Sequence, residues 1–228
     1  MTLTIGIDDA GRGPVIGPMI LAGVLLNTNQ EKTIKSAGAT DSKLLTHPTR
    51  IRISTLIKKI SLKYKILQAS PDEIDQAIIH TSNMNLNTLE AKKAGEIINN
   101  LSDKKDRIKV IIDCPSINIS SWKSKLLEFV EHPQNLTIRC ENKADLNHTS
   151  VAAASILAKV TREEEVTKIK KMYASYGDIG SGYPSDPVTK KFLKNNGLKL
   201  RDSGIFRKSW STWKKMFPDR KQSTLDSF

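Results

Sequence analysis

The chain has little cysteine, no long apolar run and fewer acidic than basic residues, and each shortage excludes a class of protein. Its two cysteines, Cys114 and Cys140, have neither the number nor the spacing of a zinc site or a disulfide framework, so we expect reduced thiols. The longest apolar stretch, residues 15–26, contains proline and glycine and is too short to span a bilayer. Asp8 and Asp9 interrupt the region that a signal peptide would need to keep apolar. We therefore expect a cytoplasmic protein without a membrane partner.

The shortage of acidic residues leaves 36 Lys and Arg against 24 Asp and Glu, a formal net charge of +12. Much of this excess lies in residues 187–221, which hold eleven Lys and Arg against Asp202 and Asp219. Five aromatic side chains are interleaved with these cations: Phe192, Phe206, Trp210, Trp213 and Phe217. The mixture is typical of a helical surface that binds a phosphate backbone, although the rings would equally suit a packed core with solvated lysines around it.

The 228 residues, 38% hydrophobic and 26% charged, have the composition of an ordinary globular chain. Their apolar pattern predicts strands over residues 3–8, 19–26, 61–68, 110–113 and 136–140. It predicts helices that start at Ser70 and that cover 87–100, 122–130, 150–172, 187–197 and 209–216. Two prolines exclude a helix between the first two strands, so these strands should form an antiparallel pair. The order of elements indicates an α/β fold, a mixed sheet flanked by helices with a helical C-terminal region.

Aspartates follow two of the predicted strands. Asp8 and Asp9 end the first strand, Asp113 ends the fourth, and Asp145 precedes the long helix and could join them. Carboxylates so close together repel one another unless a cation lies between them, and Mg²⁺ prefers such oxygen ligands. Two ions about 4 Å apart can activate a water and stabilise the leaving oxygen of a phosphodiester. Aspartate commonly ends strands and caps helices, however, and each aspartate taken alone is more often such a residue than a metal ligand.

Several motifs resemble ribonuclease HII of the archaeal type and follow in that family's order. They are GIDDAGRGP at 6–14, DSK at 41–43, Asp113, KAD at 143–145, AAASI and AKVTR within 152–162, and GSGYPSD at 180–186. The resemblance implies an RNase H-like sheet and an endoribonuclease that leaves 5′-phosphomonoesters. Its substrates would be duplex DNA containing ribonucleotides, cut on the 5′ side of the ribonucleotide, and the RNA of RNA/DNA hybrids.

The resemblance also implies roles for particular residues. The catalytic, metal-binding carboxylates would be Asp8, Asp9, Asp113 and Asp145, holding two Mg²⁺ or Mn²⁺ ions during catalysis. The nucleic acid would be contacted by Gly11, Arg12, Gly13, Ser42, Lys43 and Tyr183. In the family pattern the backbone of the Gly-Arg-Gly stretch senses the 2′-hydroxyl, the tyrosine packs on the neighbouring deoxyribose, and Ser42 and Lys43 contact phosphate. His148 lies near Asp145, but a metal-activated water needs no histidine base.

One position departs from the family pattern, because Asp9 stands where the family usually has glutamate. The shorter side chain keeps the charge but loses one methylene of reach. Since Mg²⁺ demands near-ideal octahedral geometry, we expect Asp9 to bind through a water or a shifted backbone, in favour of Mn²⁺.

The last seven residues resemble the short box that binds sliding clamps such as PCNA. Gln222, Leu225 and Phe228 have its spacing, and in one helical turn Leu225 and Phe228 would lie on the same side. The usual box ends in two aromatics and this one in a single ring, and a frayed tail without function is the alternative. We therefore divide the chain into a catalytic domain (1–186), a basic helical C-terminal region packed on it (187–221) and a clamp-binding tail (222–228).

Two other functions compete with the endoribonuclease. The first is a catalytically weakened nucleic-acid-binding or clamp adaptor protein with the same fold, inactivated through Asp9. The second is a related nuclease, such as a resolvase or integrase, that cuts DNA alone, although Gly11–Gly13 and Tyr183 argue against it. Nothing in the sequence demands a partner subunit, so we expect a monomer.

Overall fold

The computed structural model of the chain describes residues 2–39, 45–79 and 84–218. In these ranges the strands form one five-stranded sheet with the order β3-β2-β1-β4-β5. The strands are β1 (Leu3–Ala10), β2 (Met19–Asn27), β3 (Lys63–Ala69), β4 (Ile108–Asp113) and β5 (Leu136–Glu141). The pairs β1–β2 and β2–β3 are antiparallel, whereas β1–β4 and β4–β5 are parallel. The predicted mixed sheet and its antiparallel first pair are confirmed.

Helices flank this sheet. They are α1 (Thr28–Ser36), α2 (His47–Ile60), α3 (Pro71–Ile79), α4 (Leu86–Leu101), α5 (Ile119–Leu127), α6 (Ala144–Asn147), α7 (Thr149–Met172), α8 (Pro187–Asn196) and α9 (Ser211–Met216). The predictions for α3, α4, α5, α7, α8 and α9 are confirmed to within a few residues, whereas α1, α2 and α6 were not predicted. None of the helices in the described ranges is long and apolar enough to cross a membrane.

The two faces of the sheet bury different helices. Ile5 and Ile7 of β1 point to one face, where they pack with the apolar side of α4. Ala22 and Val24 of β2 point to the other face and pack against the alanine-rich first half of α7. Because side chains alternate along a strand, this division also places successive residues at the end of β1 on opposite faces.

Helix α7 lies unusually close to β1 because the strand has a glycine where the two meet. A Cβ atom added to Gly6 would lie 2.1 Å from the carbonyl carbon of Ser150 and 2.4 Å from the amide nitrogen of Val151. No side chain fits at that distance from another backbone. Gly6 therefore fixes the distance between the sheet and the helix that carries Ser155, Lys159 and Arg162.

The C-terminal helices pack on the segment that joins β1 to β2. Val15 and Ile16 share a buried cluster with Phe192, Phe206 and Trp213, and the rings of Phe206 and Trp213 are 4.9 Å apart. These three rings are thus core residues of the C-terminal region. Trp210 and Phe217 are only partly buried.

Candidate active site

The parallel pairing of β1 and β4 brings their terminal carboxylates together. Ile7 lies opposite Ile112, so Asp8 and Asp113 follow at the same edge of the sheet. Asp8 is buried, and its pKa is raised well above the usual value, first by burial and then by the charges of Asp9 and Asp113. A hydrogen bond from Ser155 of α7 partly offsets this rise. Asp8, Asp9 and Asp113 therefore lie within electrostatic range of one another.

Asp9 lies on the opposite face of β1 from Asp8, next to α4. Burial raises the pKa of its carboxyl to about 7, and the charge of Glu90 contributes to the rise. Arg12 and Lys159 act in the opposite direction, because each places a positive charge near the same carboxyl. Asp9 is thus held between negative and positive groups at the end of the strand.

Asp145 lies in α6, a helix whose start is bound by Asp113. The carboxylate of Asp113 accepts a hydrogen bond of 2.9 Å from the amide nitrogen of Ala144, the first residue of that helix. Lys143 turns the chain into the helix with a left-handed backbone, φ 57°. Asp145 follows directly and is 4% exposed. The structure thus places Asp8, Asp9 and Asp113 within electrostatic range of one another and Asp145 one residue beyond the backbone group that Asp113 binds.

The donor chemistry of this cluster suits a divalent cation. All four predicted ligands are carboxylates. A cation would offset both the burial of Asp8 and the neighbouring charges that together raise its pKa. The cleft that Asp8, Asp9, Asp113 and Glu90 line has a volume of only about 10 Å³, at the lower limit for one water, and apolar side chains such as Leu21 and Trp122 form the rest of its wall. In the described ranges, no three His, Cys, Asp or Glu side chains already surround a common point as metal ligands do. The residues fit the ion by donor type and charge, and their side chains would have to close around it.

Glu90 of α4 belongs to the same cleft and was not predicted from the sequence. It is 2% exposed and forms an ion pair with Arg12, whose other terminal nitrogen donates to the Asn87 side chain at 2.6 Å. Burial raises the pKa of Glu90 to about 7 despite this partner. Its second oxygen, Oε1, has no hydrogen-bond partner among the described residues. The available signal was position, since Glu90 lies on the same helix face as Ala94 and Ile97, which are core residues.

A wider groove of about 460 Å³ opens beside Asp9. It is lined by Asp9, Ala10, Gly11, Arg12, Gly13, Arg50, Lys159, Arg162, Glu163 and Tyr183. Gly11 has φ +88°, and a Cβ there would lie 2.5 Å from the Arg162 side chain, so the loop can follow this path only with glycine. The groove therefore joins the carboxylates to the Gly-Arg-Gly stretch and to Tyr183.

Tyr183 stands at the wall of this groove, 38% exposed and next to Gly13. The guanidinium of Arg162 lies 5.1 Å from the centre of its ring. Asp186 holds the loop below it by accepting hydrogen bonds from the backbone and hydroxyl of Ser181 at 2.6 and 2.8 Å, which lowers the pKa of Asp186 to about 2. The ring is thus supported on a rigid loop and remains accessible.

The remaining predicted residues are not part of the geometry given above. Ser42, Lys43, Gln222, Leu225 and Phe228 lie outside the described residues. The Nε2 atom of His148 lies within hydrogen-bonding distance of the Glu141 carboxylate, 2.8 Å from its Oε2 atom.

Comparison with known proteins agrees with these features. The sequence matches the Ribonuclease HII family over residues 5–213. It is 39% identical to ribonuclease HII of Methanococcus maripaludis (strain C6), an alignment that covers 98% of this chain and 90% of the relative.

Two solved structures are similar as well. The fold resembles ribonuclease H2 from Pyrococcus horikoshii OT3 with a TM-score of 0.81 at 34% identity, over 94% of this chain and 97% of that one. It also resembles the ribonuclease HII in the PCNA:RNase HII complex from Archaeoglobus fulgidus, with a TM-score of 0.77 at 33% identity, over 99% and 100% of the two chains. The family match, the sequence identity to relatives and the similarity to solved structures all point to one family. The chain belongs to the ribonuclease HII family of endoribonucleases.

Proposed function

We propose that this endoribonuclease hydrolyses the phosphodiester on the 5′ side of ribonucleotides embedded in duplex DNA, and the RNA of RNA/DNA hybrids, leaving 5′-phosphomonoesters. The observation that carries the proposal is the position of Asp9. It lines both the carboxylate cleft and the groove that contains Gly11–Gly13 and Tyr183. A strand lying in that groove would therefore have its backbone next to the carboxylates.

The ribonuclease H family is metal-dependent, and we propose that Asp8, Asp9, Asp113 and Asp145 hold two Mg²⁺ or Mn²⁺ ions. Such ions, when bound, activate the attacking water and stabilise the leaving oxygen. Ser155 orients the Asp8 carboxylate, and the amide of Ala144 orients that of Asp113. The shorter reach of Asp9 matters here, because it is the ligand whose geometry Mg²⁺ would tolerate least.

Recognition of the sugar is assigned to the other side of the groove. The Gly-Arg-Gly backbone can come close enough to hydrogen-bond a 2′-hydroxyl, the group that distinguishes RNA from DNA at one sugar. The Tyr183 ring lies beside Gly13 and is partly exposed, so a deoxyribose can pack against it. Lys159 and Arg162 line the same groove and supply positive charge for the phosphates.

The test is a set of three duplexes of one sequence: all DNA, DNA with a single ribonucleotide, and an RNA/DNA hybrid. With Mg²⁺ or Mn²⁺ the protein should nick the second on the 5′ side of the ribonucleotide, degrade the RNA of the third, and leave the first intact. Binding without cleavage in either metal would indicate the adaptor function instead. Cleavage of the all-DNA duplex would indicate another class of nuclease.

We further propose that the tail binds a sliding clamp. The Archaeoglobus fulgidus relative was solved as a PCNA:RNase HII complex, and Gln222, Leu225 and Phe228 have the spacing of a clamp-binding box. This keeps the division into a catalytic domain (1–186), a basic region (187–221) and a tail (222–228). Deletion of 222–228 should abolish clamp binding in calorimetry and leave cleavage of a short duplex unchanged. A truncated chain that binds the clamp as well as the full chain would refute the assignment.

A further inference from the structure

The segment between α8 and α9 places a buried arginine under the loop formed by residues 11–13, here called the glycine loop. The Arg207 side chain is 0% exposed. Its Nη2 donates to the carbonyl of Gly11 at 2.6 Å, its Nη1 to the carbonyl of Arg12 at 2.9 Å and its Nε to that of Gly17 at 3.0 Å. The planar fork of an arginine matches this set of acceptors, and a lysine could not reach all three at once.

Trp210 binds the remaining carbonyl of the loop. Its indole nitrogen donates to the oxygen of Gly13 at 3.1 Å, and its ring stacks against the Arg207 guanidinium at 4.9 Å. The segment that carries both residues is itself fixed, because Asp75 of α3 accepts hydrogen bonds from the amides of Lys208 and Ser209 at 2.7 and 2.9 Å. All three carbonyls of the glycine loop are therefore held from the C-terminal side.

Holding the carbonyls determines where the amides point. A trans peptide is planar, and its N–H points away from its C=O. The carbonyl of Gly11 shares a peptide with the amide of Arg12, and the carbonyl of Arg12 shares one with the amide of Gly13. When Arg207 binds both carbonyls, it turns the N–H groups of Arg12 and Gly13 to the opposite side of the loop.

The Arg12 side chain is fixed independently, because it binds Glu90 and Asn87 of α4. The loop is thus anchored by its carbonyls on one side and by its central side chain on another. Burying a cation to satisfy three carbonyls is unfavourable unless the bonds are well formed. Burial lowers the pKa of Arg207 to about 10, which still leaves it protonated at neutral pH.

We propose that Arg207 is a positioning residue that aims the amides of Arg12 and Gly13 at the sugar, so that discrimination between ribose and deoxyribose depends on the C-terminal region. Trp210 supports it by stacking on the Arg207 guanidinium and by fixing the Gly13 carbonyl, which precedes Pro14 and therefore shares its peptide with no N–H. The inference rests on the proposed function. It assigns Arg207 a role inside the fold, whereas the other cations of residues 187–221 remain candidates for contacts with the duplex.

The test measures binding of two duplexes to the full chain in the presence of a chelator, so that no hydrolysis occurs. One duplex is all DNA and the other carries a single ribonucleotide. The readout is the ratio of the two dissociation constants, measured by fluorescence anisotropy and accompanied by the thermal unfolding midpoint. The variants are Arg207→Lys and Trp210→Phe, with Ile57→Ala as a control that removes a buried side chain from the opposite layer of the core.

Wild type should prefer the ribonucleotide duplex. Arg207→Lys should reduce the ratio about tenfold, since it removes charged hydrogen bonds, and Trp210→Phe about threefold. Affinity for the all-DNA duplex should stay unchanged, and Ile57→Ala should keep the wild-type ratio despite its lower unfolding midpoint. A structural role alone would lower the midpoint of the variants without moving the ratio.

The outcomes separate the two levels of the proposal. In one outcome, wild type prefers the ribonucleotide duplex while Trp210→Phe and a folded Arg207→Lys both keep the same ratio. That result would overturn the positioning role and leave the proposed function intact. A wild-type ratio of one would remove both. If Arg207→Lys does not fold, Trp210→Phe decides, because it releases the end of the glycine loop that Trp210 holds while keeping an aromatic ring against Arg207.

Discussion

The buried carboxyl of Asp9 at the end of β1 should make the stability of the metal-free protein depend on pH. Burial, followed by the charge of Glu90, raises the pKa of Asp9 from 3.8 to about 7. A carboxyl with a raised pKa holds a proton in the folded chain at pH values where the unfolded chain has released it. The free energy of unfolding should therefore fall as the pH rises from about 4 to about 7, and it should stay low above that range.

The magnitude follows from the same pKa. A rise from 3.8 to about 7 corresponds to about 4 kcal/mol for a carboxyl that titrates alone. Asp9 and Glu90 interact, so the observed titration belongs to the pair, and we expect about 2 to 4 kcal/mol. Asp9→Asn removes the charge at nearly constant volume. At pH 8 this variant should be more stable than wild type by about 2 kcal/mol or more, and its stability should change less with pH.

The assay is urea unfolding followed by circular dichroism at pH 5, 6, 7 and 8 in a chelator. Asp202→Asn is the matched control, because the Asp202 side chain is 92% exposed and its removal should leave the wild-type profile unchanged. Mg²⁺ at pH 8 should stabilise wild type more than Asp9→Asn. Parallel profiles for wild type and Asp9→Asn would show that the surroundings of Asp9 do not raise its pKa.

Three further predictions concern packing, metal choice and charge. Gly6→Ala should lower the free energy of unfolding by about 3 kcal/mol, since its Cβ would lie 2.1 Å from the Ser150 backbone; a decrease below about 1 kcal/mol would contradict the close approach. Asp9→Glu should raise the cleavage rate in Mg²⁺ relative to the rate in Mn²⁺ several-fold. An unchanged ratio would show that the length of the Asp9 side chain does not determine the choice of metal. Lys190 and Lys191 are exposed, and we expect their replacement by Gln to make duplex affinity less dependent on salt. The slope of log affinity against log salt concentration should flatten by about 0.9 for each phosphate that these lysines neutralise. An unchanged slope would place α8 away from the duplex.

The strands and the carboxylates at their ends could be predicted because local signals define them. An apolar run that stops at an aspartate marks both the strand and the position of its last residue, as in β4. The pairing of β1 with β4 could not be predicted in this way, because about a hundred residues separate them and no local pattern records the register.

Helices α1 and α2 were not predicted because their sequences carry almost no local signal. Helix α1 buries only Ile34, and its remaining residues are polar or partly exposed, so its sequence lacks an apolar face. Ile34 and Ile57 are buried against the alanines of α7, which means that tertiary contacts stabilise both helices. The Asn27 capping box with Gln30 was the only local indication that α1 begins there.

Two residues near the site could not be predicted from the sequence for a related reason. Glu90 and Arg207 look like the many surface charges of this chain, and their burial depends on partners far away in sequence. Glu90 meets Arg12, and Arg207 meets the carbonyls of the glycine loop. For Arg207 the only sequence signal is its position between Phe206 and Trp210. Charged residues with aromatic or apolar neighbours on the buried face are therefore worth testing as structural partners of a site.

The most direct test of the central claim, that four separate aspartates converge on divalent ions, is a Mn²⁺ titration of the protein by calorimetry at pH 8. Wild type should bind Mn²⁺, and Asp8→Asn, Asp113→Asn and Asp145→Asn should each weaken binding about tenfold or more while remaining folded. Asp202→Asn should bind like wild type. Undiminished binding in all three site variants would contradict the claim.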